Sequence, residues 1–351
     1  MDLMECRKRL DEIDQEIVRL FEERMSVCKQ VAEDKIRSGK AVYDGKREKQ
    51  KLLAVQELAH GAFNKDAVRE VFAQLMTISR RYQYGLLAEH GKFGTTGFTE
   101  VEEIKKDGVR VVFQGVEGAY SHAAARKFFG PETAVYHVPE FEDTMREVES
   151  GRADYAVLPI ENSTAGFVIN NYDLLSKYSN YIVGEVYVPV EHVLLGCPDA
   201  KLSDIKTVYS HPQALMQCSD YLNARKDWSQ ISVLNTAAAA KKVMEEKDKS
   251  QAAIASHTAG ELYGLKELAC GINNAKGNTT RFLVLANRPV YGKHASKISV
   301  TFEIPHISGS LYNILGNFIF NGVNMVMIES RPIPEKTFGY RFFVDIEGNL
   351  S

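Results

Sequence analysis

Arg7, Arg24 and Lys35 are the first cations of the chain whose placement asks for an explanation. Apolar residues recur at Leu3, Cys6, Leu10, Ile13, Ile17 and Leu20, then at Val27 and Val31, and the position missing from the series is Arg24. A guanidinium on a packing seam costs roughly several kcal/mol unless something anionic meets it. The alternative is an arginine that reaches solvent or a salt bridge. Lys35 follows eleven residues later, close to three helical turns, and so shares the face of Arg24. Arg7 precedes Arg24 by seventeen residues, roughly 25 Å along a helix and on another stripe. If Arg7 and Arg24 hold one small anion, they come from different chains, and the helices form an intertwined dimer. Further on, Asp44 is followed by Arg47 and Glu48 at i+3 and i+4, and Ser79 by Gln83 at i+4. Taken one at a time, these are ordinary helix-surface residues.

A second chemical stretch is Gly277-Asn278-Thr279-Thr280-Arg281-Phe282, a glycine-led polar turn entering the apolar run Phe282–Ala286. That run has the length and composition of a buried strand. It delivers a hydroxyl and a guanidinium to the strand's mouth, where chain is anchored on one side and open on the other. A capped loop entering a strand would look the same.

The elements around these residues fall into three groups. The first 90 residues carry helical spacing: one long helix from Leu3, a turn at Ser38-Gly39, a second helix after Asp44, and a third from about Lys65 to Leu87. Periodicity lapses between Gly85 and Gly108, and 91–108 reads as a linker. From 109 to 288 short apolar strands alternate with helices, at Val109–Phe113, Asp154–Leu158, Thr207–Tyr209 and Ala252–Ile254. This rhythm predicts a parallel sheet with helices packed on it and ligands at the strand ends. Ser121, Ser210 and Ser256 stand at predicted helix starts, where a hydroxyl caps the helix and needs no further function. Beyond 296 a strand, a helix from Leu311 to Asn321 and two further strands follow.

Composition narrows the function. The balance of 43 basic against 46 acidic residues gives −3, so bulk charge argues for neither a nucleic-acid nor a membrane partner. Five scattered cysteines form no C-x-x-C, which predicts no metal site or disulfide and fits a reducing, cytoplasmic compartment. Charge from Asp2 onward and the lack of a long apolar run predict neither a signal peptide nor a membrane span. Gln114-Gly115-Val116-Glu117-Gly118 lacks G-x-G-x-x-G spacing, so no dinucleotide cofactor is expected.

In order and spacing, the set Arg7, Arg24, Lys35, Asp44, Arg47, Glu48, Ser79 and Gln83 resembles the pocket of the all-helical chorismate mutases. The resemblance implies rearrangement of chorismate to prephenate. Arg24 and a partner-chain Arg7 would clamp carboxylates, Lys35 and Gln83 would face the ether oxygen, and Asp44, Arg47, Glu48 and Ser79 would bind the remaining surface. Residues 109–288 resemble prephenate dehydratase at Gly118–Ala125, Pro159–Ser163, Ser210–Gln213 and the T-R-F stretch of Thr280-Arg281-Phe282. A two-lobed core like that of periplasmic binding proteins is implied, with loss of CO2 and water from prephenate to give phenylpyruvate. Thr280 would sit at the leaving hydroxyl, Arg281 would anchor a carboxylate, and Ser121, Glu161, Asn162, Ser210, Gln217 and Phe282 would complete the site. The source of the proton stays open; His122 and His211 suit the task by type and equally suit helix starts.

Residues 296–351 resemble the start of an α+β ACT regulatory domain. Ser308-Gly309-Ser310-Leu311 stands where the family often has G-A-L, and Glu329-Ser330-Arg331-Pro332 matches its E-S-R-P. Phenylalanine bound by Gly309, Ser310, Leu311, Glu329, Ser330 and Arg331 would inhibit the enzyme. Ser310 replaces the usual alanine, and the chain stops at Ser351 before the second helix and last strand, so a truncated ACT domain is expected. The expectation is a multidomain, cofactor-free bifunctional enzyme of phenylalanine biosynthesis, assembled as dimers or tetramers. A rival of another class, a non-catalytic small-acid sensor, would have no use for Lys35, Gln83 and Thr280 together.

Overall fold

The computed structural model describes residues 2–92, 96–307, 309–334 and 336–350. Gly94 and Thr95 of the expected linker, Ser308 of the Ser308–Leu311 stretch and the terminal Ser351 lie outside the described residues. The chain divides after Thr96 into two compact units.

The first unit is three helices: α1 (Leu3–Ser38), α2 (Gly45–Leu58) and α3 (Ala62–Glu89). Helix α1 starts in a capping box. The Asp2 carboxylate accepts from the Glu5 N–H at 2.8 Å, and Glu5 accepts from the Asp2 N–H at 3.0 Å. It stops at Gly39, whose φ of 69° is a left-handed conformation that glycine adopts without strain. Asp44 caps α2 by accepting from the Arg47 N–H at 2.9 Å. The sequence series turns outward in the single chain: Leu3, Leu10, Ile13, Ile17, Leu20, Val27 and Val31 are all between 41% and 67% exposed. Only Ala32 of α1 is buried.

The second unit opens with β1 (Thr99–Val101), β2 (Arg110–Gln114), α4 (Tyr120–Phe129), β3 (Ala134–Val138) and α5 (Phe141–Glu149). Next come β4 (Tyr155–Asn162), β5 (Gly166–Phe167), α6 (Ile169–Lys177), β6 (Tyr181–Pro189) and β7 (Val193–Gly196). They are followed by β8 (Thr207–Ser210), α7 (Pro212–Gln217), α8 (Ser219–Asn223), β9 (Ser229–Ser232), α9 (Thr236–Glu246), β10 (Gln251–Ala255) and α10 (His257–Tyr263). The unit finishes with β11 (Lys266–Ala269), β12 (Thr279–Ala286), β13 (Val290–Gly292), β14 (Lys297–Glu303), α11 (Ser310–Phe320), β15 (Met325–Pro332) and β16 (Tyr340–Glu347).

The linker expectation is corrected at β1, which pairs in parallel with β13, so this part of 91–108 belongs to the second unit. The single parallel sheet is corrected as well. There are two mixed sheets, ordered β3-β2-β4-β12-β6 (with β5 on β4) and β11-β7-β10-β8-β9. Strands joined through helices run parallel, as β2, β3 and β4 do. Strand β12 reaches the first sheet by direct connection from the second and lies antiparallel between β4 and β6.

Residues 282–286 are almost fully buried, and alternate side chains feed two cores. Phe282 and Val284 pack on the α4 side with Ala124, Phe129 and Val157, whereas Leu283 and Leu285 pack with Met145, Tyr172 and Phe343. Each such side chain stabilises the fold by roughly 1.5–3 kcal/mol relative to exposure. The C-terminal sheet β14-β16-β15 docks on that second face, with Tyr172 and Phe343 meeting edge-to-face at 5.0 Å between centroids.

Two direct segments, after Pro189 and before Thr279, link the first two sheets, and side chains tie them together. Asn273 accepts from the His192 N–H at 2.8 Å and donates to the Val190 carbonyl at 3.0 Å. The lobes also touch at Gly118, where φ is +85° and a Cβ would lie 3.2 Å from Ala259 Cα. Ser256 donates to the Gly118 carbonyl at 3.1 Å there. Among the described residues, no helix is long and apolar enough to cross a membrane.

Candidate active sites

In the helical unit, α1 and α3 place two cations against two neutral polar groups. Arg24 donates to the Ser79 hydroxyl and, at 3.3 Å, to the Leu75 carbonyl. Lys35 donates to the Gln83 Oε1 at 3.3 Å and to the Val42 carbonyl at 2.7 Å. Ser79 and Gln83 are buried one turn apart on α3, and the long side chains of Arg24 and Lys35, about three turns apart on α1, converge on them. Because Gln83 receives the Lys35 proton on its oxygen, its amide NH2 is left as the donor. Two fixed cations flanked by donors suit a small dianion.

The rest of the expected set is arranged differently. Asp44 is the α2 cap, Arg47 is exposed, and Glu48 is ion-paired with Arg80. Arg80 was missed by sequence reasoning. It also donates to Thr77 at 2.8 Å and lies over the Tyr43 ring, and its only sequence signal is adjacency to Ser79. Arg7 is exposed far up α1, so one chain does not bring it to Arg24.

In the second unit, one hydrogen-bonded chain gathers Thr280, Asn162 and Gln217. Asn162 donates from Nδ2 to the Thr280 hydroxyl at 2.8 Å and to Asn278 Oδ1 at 2.8 Å. Asn162 Oδ1 accepts from the backbone N–H of Thr164 and Ala165, at 3.1 and 2.9 Å. Gln217, from the second lobe, donates to the Thr164 hydroxyl of the first at 3.1 Å. Beyond it, His192 Nε2 faces Gln217 Oε1 at 3.0 Å, and His192 Nδ1 faces the Tyr120 hydroxyl at 3.2 Å. Burial disfavours the charged form of His192 and lowers its pKa, more than the Gln217 bond raises it. Thr164 and His192 have no place among the residues expected from sequence, and Asn278 enters there only as part of the Gly277–Phe282 stretch. They sit in crossing segments whose neighbours only folding supplies.

Strand alternation separates several of the expected residues. Residues directly opposite in an antiparallel pair share a face. Thr280 pairs with Asn162, and Arg281 with Glu161, so Arg281 and Glu161 lie on the face away from Thr280. Arg281 is only 6% exposed and is ion-paired with Glu185 at 2.7 Å and Asp345 at 2.6 Å, turned toward the C-terminal sheet. Burial disfavours its charge, yet those carboxylates raise its pKa. Burial alone would likewise raise Glu185, but Lys297 and Arg281 outweigh that and hold it below the ordinary glutamate range. Phe282, on the Thr280 side, is core rather than cleft.

Ser121 is buried in the first turn of α4. Ser210 is fully buried and donates to the Ile254 carbonyl at 2.6 Å; the cap of α7 is His211, accepting from the Gln213 N–H at 3.1 Å. His122 accepts from the Gly118 N–H at 3.0 Å and stacks on Phe113. Both histidines thus serve helix starts.

In the C-terminal sheet a cavity of ≈ 380 Å³ is lined by Gly309, Ser310 and Leu311 with His306, Tyr312 and Phe342 among others. Glu329, Ser330 and Arg331 are not in that lining; Arg331 makes a two-pronged ion pair with Asp173 on α6, at 3.0 and 2.8 Å. Among the described residues the one group with metal-type donors is His257, Glu267 and Cys270, donor atoms within 4.8 Å of one another. Cys270 already donates to Glu267 at 3.1 Å, and the group shares no residue with the clusters above.

Comparison with known proteins agrees with this division. Residues 6–84 match the family model for chorismate mutase type II, and residues 111–290 match that for prephenate dehydratase. A bifunctional chorismate mutase/prephenate dehydratase of Escherichia coli is 33% identical over 99% of this chain and 89% of its own length. One from Neisseria gonorrhoeae is 32% identical over the same shares. The structure of a prephenate dehydratase from Arthrobacter aurescens in complex with L-Phe covers 68% of this chain and 81% of its own, at 29% identity and a TM-score of 0.64. With both family models matched in this order and relatives aligned over nearly its full length, the chain belongs to the bifunctional chorismate mutase/prephenate dehydratases.

Proposed function

We propose that the helical unit rearranges chorismate to prephenate and that the cleft at Thr280 converts prephenate to phenylpyruvate, the two activities of the family. The first step needs no nucleophile and no proton transfer. It needs the flexible dianion held in its reactive shape and positive or donor groups where charge grows on the ether oxygen. Arg24 supplies the carboxylate fork, and Lys35 with the Gln83 amide supplies the charge and donor for the ether oxygen. Asp44, Arg47, Glu48 and Ser79 complete the pocket. Arg7 enters from a second copy of the chain, whose α1 covers the exposed apolar stripe.

In the second step the bond to the departing carboxylate breaks and its electrons enter the ring. The ring C–O bond breaks in turn, and the hydroxyl leaves as water with one added proton. Aromatisation drives the change, so the protein's task is to assist the leaving group. The observation that carries this reading is the bond from Asn162 Nδ2 to Thr280 Oγ1, which fills the acceptor side of the hydroxyl and leaves its proton to donate to the departing oxygen. Gln217 closes the site from the second lobe.

The C-terminal sheet is read as an ACT domain, 296–351, after the 1–90 and 109–288 domains. Its cavity at Gly309–Leu311 takes L-phenylalanine, with Glu329, Ser330 and Arg331 contributing across a paired copy, and this binding inhibits the dehydratase. The test is one assay on the full chain: chorismate is supplied, prephenate and phenylpyruvate are followed, and L-phenylalanine is added. Thr280→Ala is expected to lower phenylpyruvate formation by roughly 10²–10⁴-fold and to leave prephenate formation intact. Equal loss of both steps would remove the assignment.

A further inference from the structure

The polarity of the hydrogen-bond chain behind Thr280 is forced, and its far end is a residue with no assigned role. Asn162 Oδ1 faces two backbone N–H groups, so its amide NH2 must face Asn278 and Thr280. The Thr164 hydroxyl lies between two amide oxygens, Asn162 Oδ1 at 2.8 Å and Asn278 Oδ1 at 3.2 Å. Its single proton goes to one of them, so its oxygen accepts from Gln217. Gln217 therefore turns its NH2 to Thr164 and its Oε1 to His192, 3.0 Å away. An oxygen there requires an N–H opposite, so His192 carries its proton on Nε2. Nδ1 is then an acceptor, 3.2 Å from a Tyr120 hydroxyl whose proton it shares with the Glu191 carbonyl at 2.9 Å. His192 is 2% exposed, so a lost partner is not replaced by bulk water.

We propose that His192 is a positioning residue for the dehydratase reaction, its Nε2–H holding the Gln217 amide with NH2 toward Thr164. This rests on the reading of the Thr280 cleft as the dehydratase site. Gln217 stands in the second lobe and Thr164 in the first, so the amide bridges the cleft. Without the His192 donor the amide is free to rotate by half a turn. An oxygen would then meet Thr164, draw its proton away from the two asparagines, and turn a donor edge of the cleft into an acceptor edge facing an anionic substrate.

Two amide substitutions separate the Nε2–H from mere bulk. His192→Gln reaches the position of Nε2 and keeps a donor there; His192→Asn reaches only that of Nδ1 and gives the donor up. With prephenate as substrate and the full chain as enzyme, His192→Asn is expected to lower kcat about tenfold, and His192→Gln to stay within about threefold of the parent. On a Gln217→Ala background the two should be indistinguishable, because the group they act through is gone. Equal effects in the parent, or a difference that persists with Gln217→Ala, would overturn the proposal. A Thr280→Ala arm separates the failures: full dehydratase activity there would sink the site assignment rather than the His192 coupling.

Discussion

Arg24 and Thr280 show how far residue type goes and where geometry takes over. Arg24 drew attention as a cation interrupting an apolar series, and it does turn inward, onto Ser79 and Leu75. The residues of its series turn out in the single chain, while the long Arg24 side chain reaches round to α3. Arg24→Ala is expected to lower mutase kcat/KM by roughly 10²–10³-fold, with dehydratase turnover of added prephenate unchanged. Arg24→Lys should recover only part of it, since an ammonium lacks the planar fork. Steady-state kinetics on chorismate, with helicity checked by circular dichroism, decides between a lost contact and a lost fold. At Thr280 the T-R-F stretch picks out the hydroxyl, and the structure sends its sequence neighbour to the other face. Arg281 and Glu161 sit beside Thr280 and Asn162 in sequence, and a strand sends adjacent side chains to opposite faces.

Strand β12 does two jobs because of that alternation. Its Thr280 face meets the cleft, and its Arg281 face binds Glu185 of β6 and Asp345 of β16, anchoring the C-terminal sheet. Lys297 of β14 joins Glu185 at 2.6 Å. The Glu185 pKa is lower in the folded protein than in the unfolded chain, where a glutamate titrates at about 4.3. Its ionised form therefore stabilises the fold fully above that value, and the contribution is lost as pH falls through the lower, folded pKa. Glu185→Gln is expected to reduce stability at neutral pH and to flatten the acid limb of the stability curve below about pH 5. Denaturant titrations at neutral and acid pH measure this, and an unchanged acid limb would assign the sensitivity to other carboxylates. Helix α1 carries the matching lesson for helices. Its period was plain in the sequence, and it forms from Leu3 to Ser38, but a period does not say whether the apolar stripe meets its own chain or another.

An enzyme assembled from separately folded units predicts separable failures. Seven apolar residues of the α1 series are exposed in the single chain, and in the dimer proposed above a second copy would cover them and return Arg7 to the pocket. Ile17→Glu is expected to shift the chain toward monomer in sedimentation and to cut mutase turnover at least about tenfold, while prephenate is still dehydrated at close to the parent rate. Retained mutase activity in a proven monomer would reject a shared pocket. The helical head, the α/β rhythm and the order of the motifs were all readable in the chain, because periodicity, capping residues and short motifs are local properties. Partnerships across long sequence separations were not. The antiparallel entry of β12, the pairing of Arg281 with Asp345, the bond from Gln217 to Thr164 and the place of His192 depend on which strands become neighbours. That choice is made by burial of the whole unit, and no local spacing encodes it.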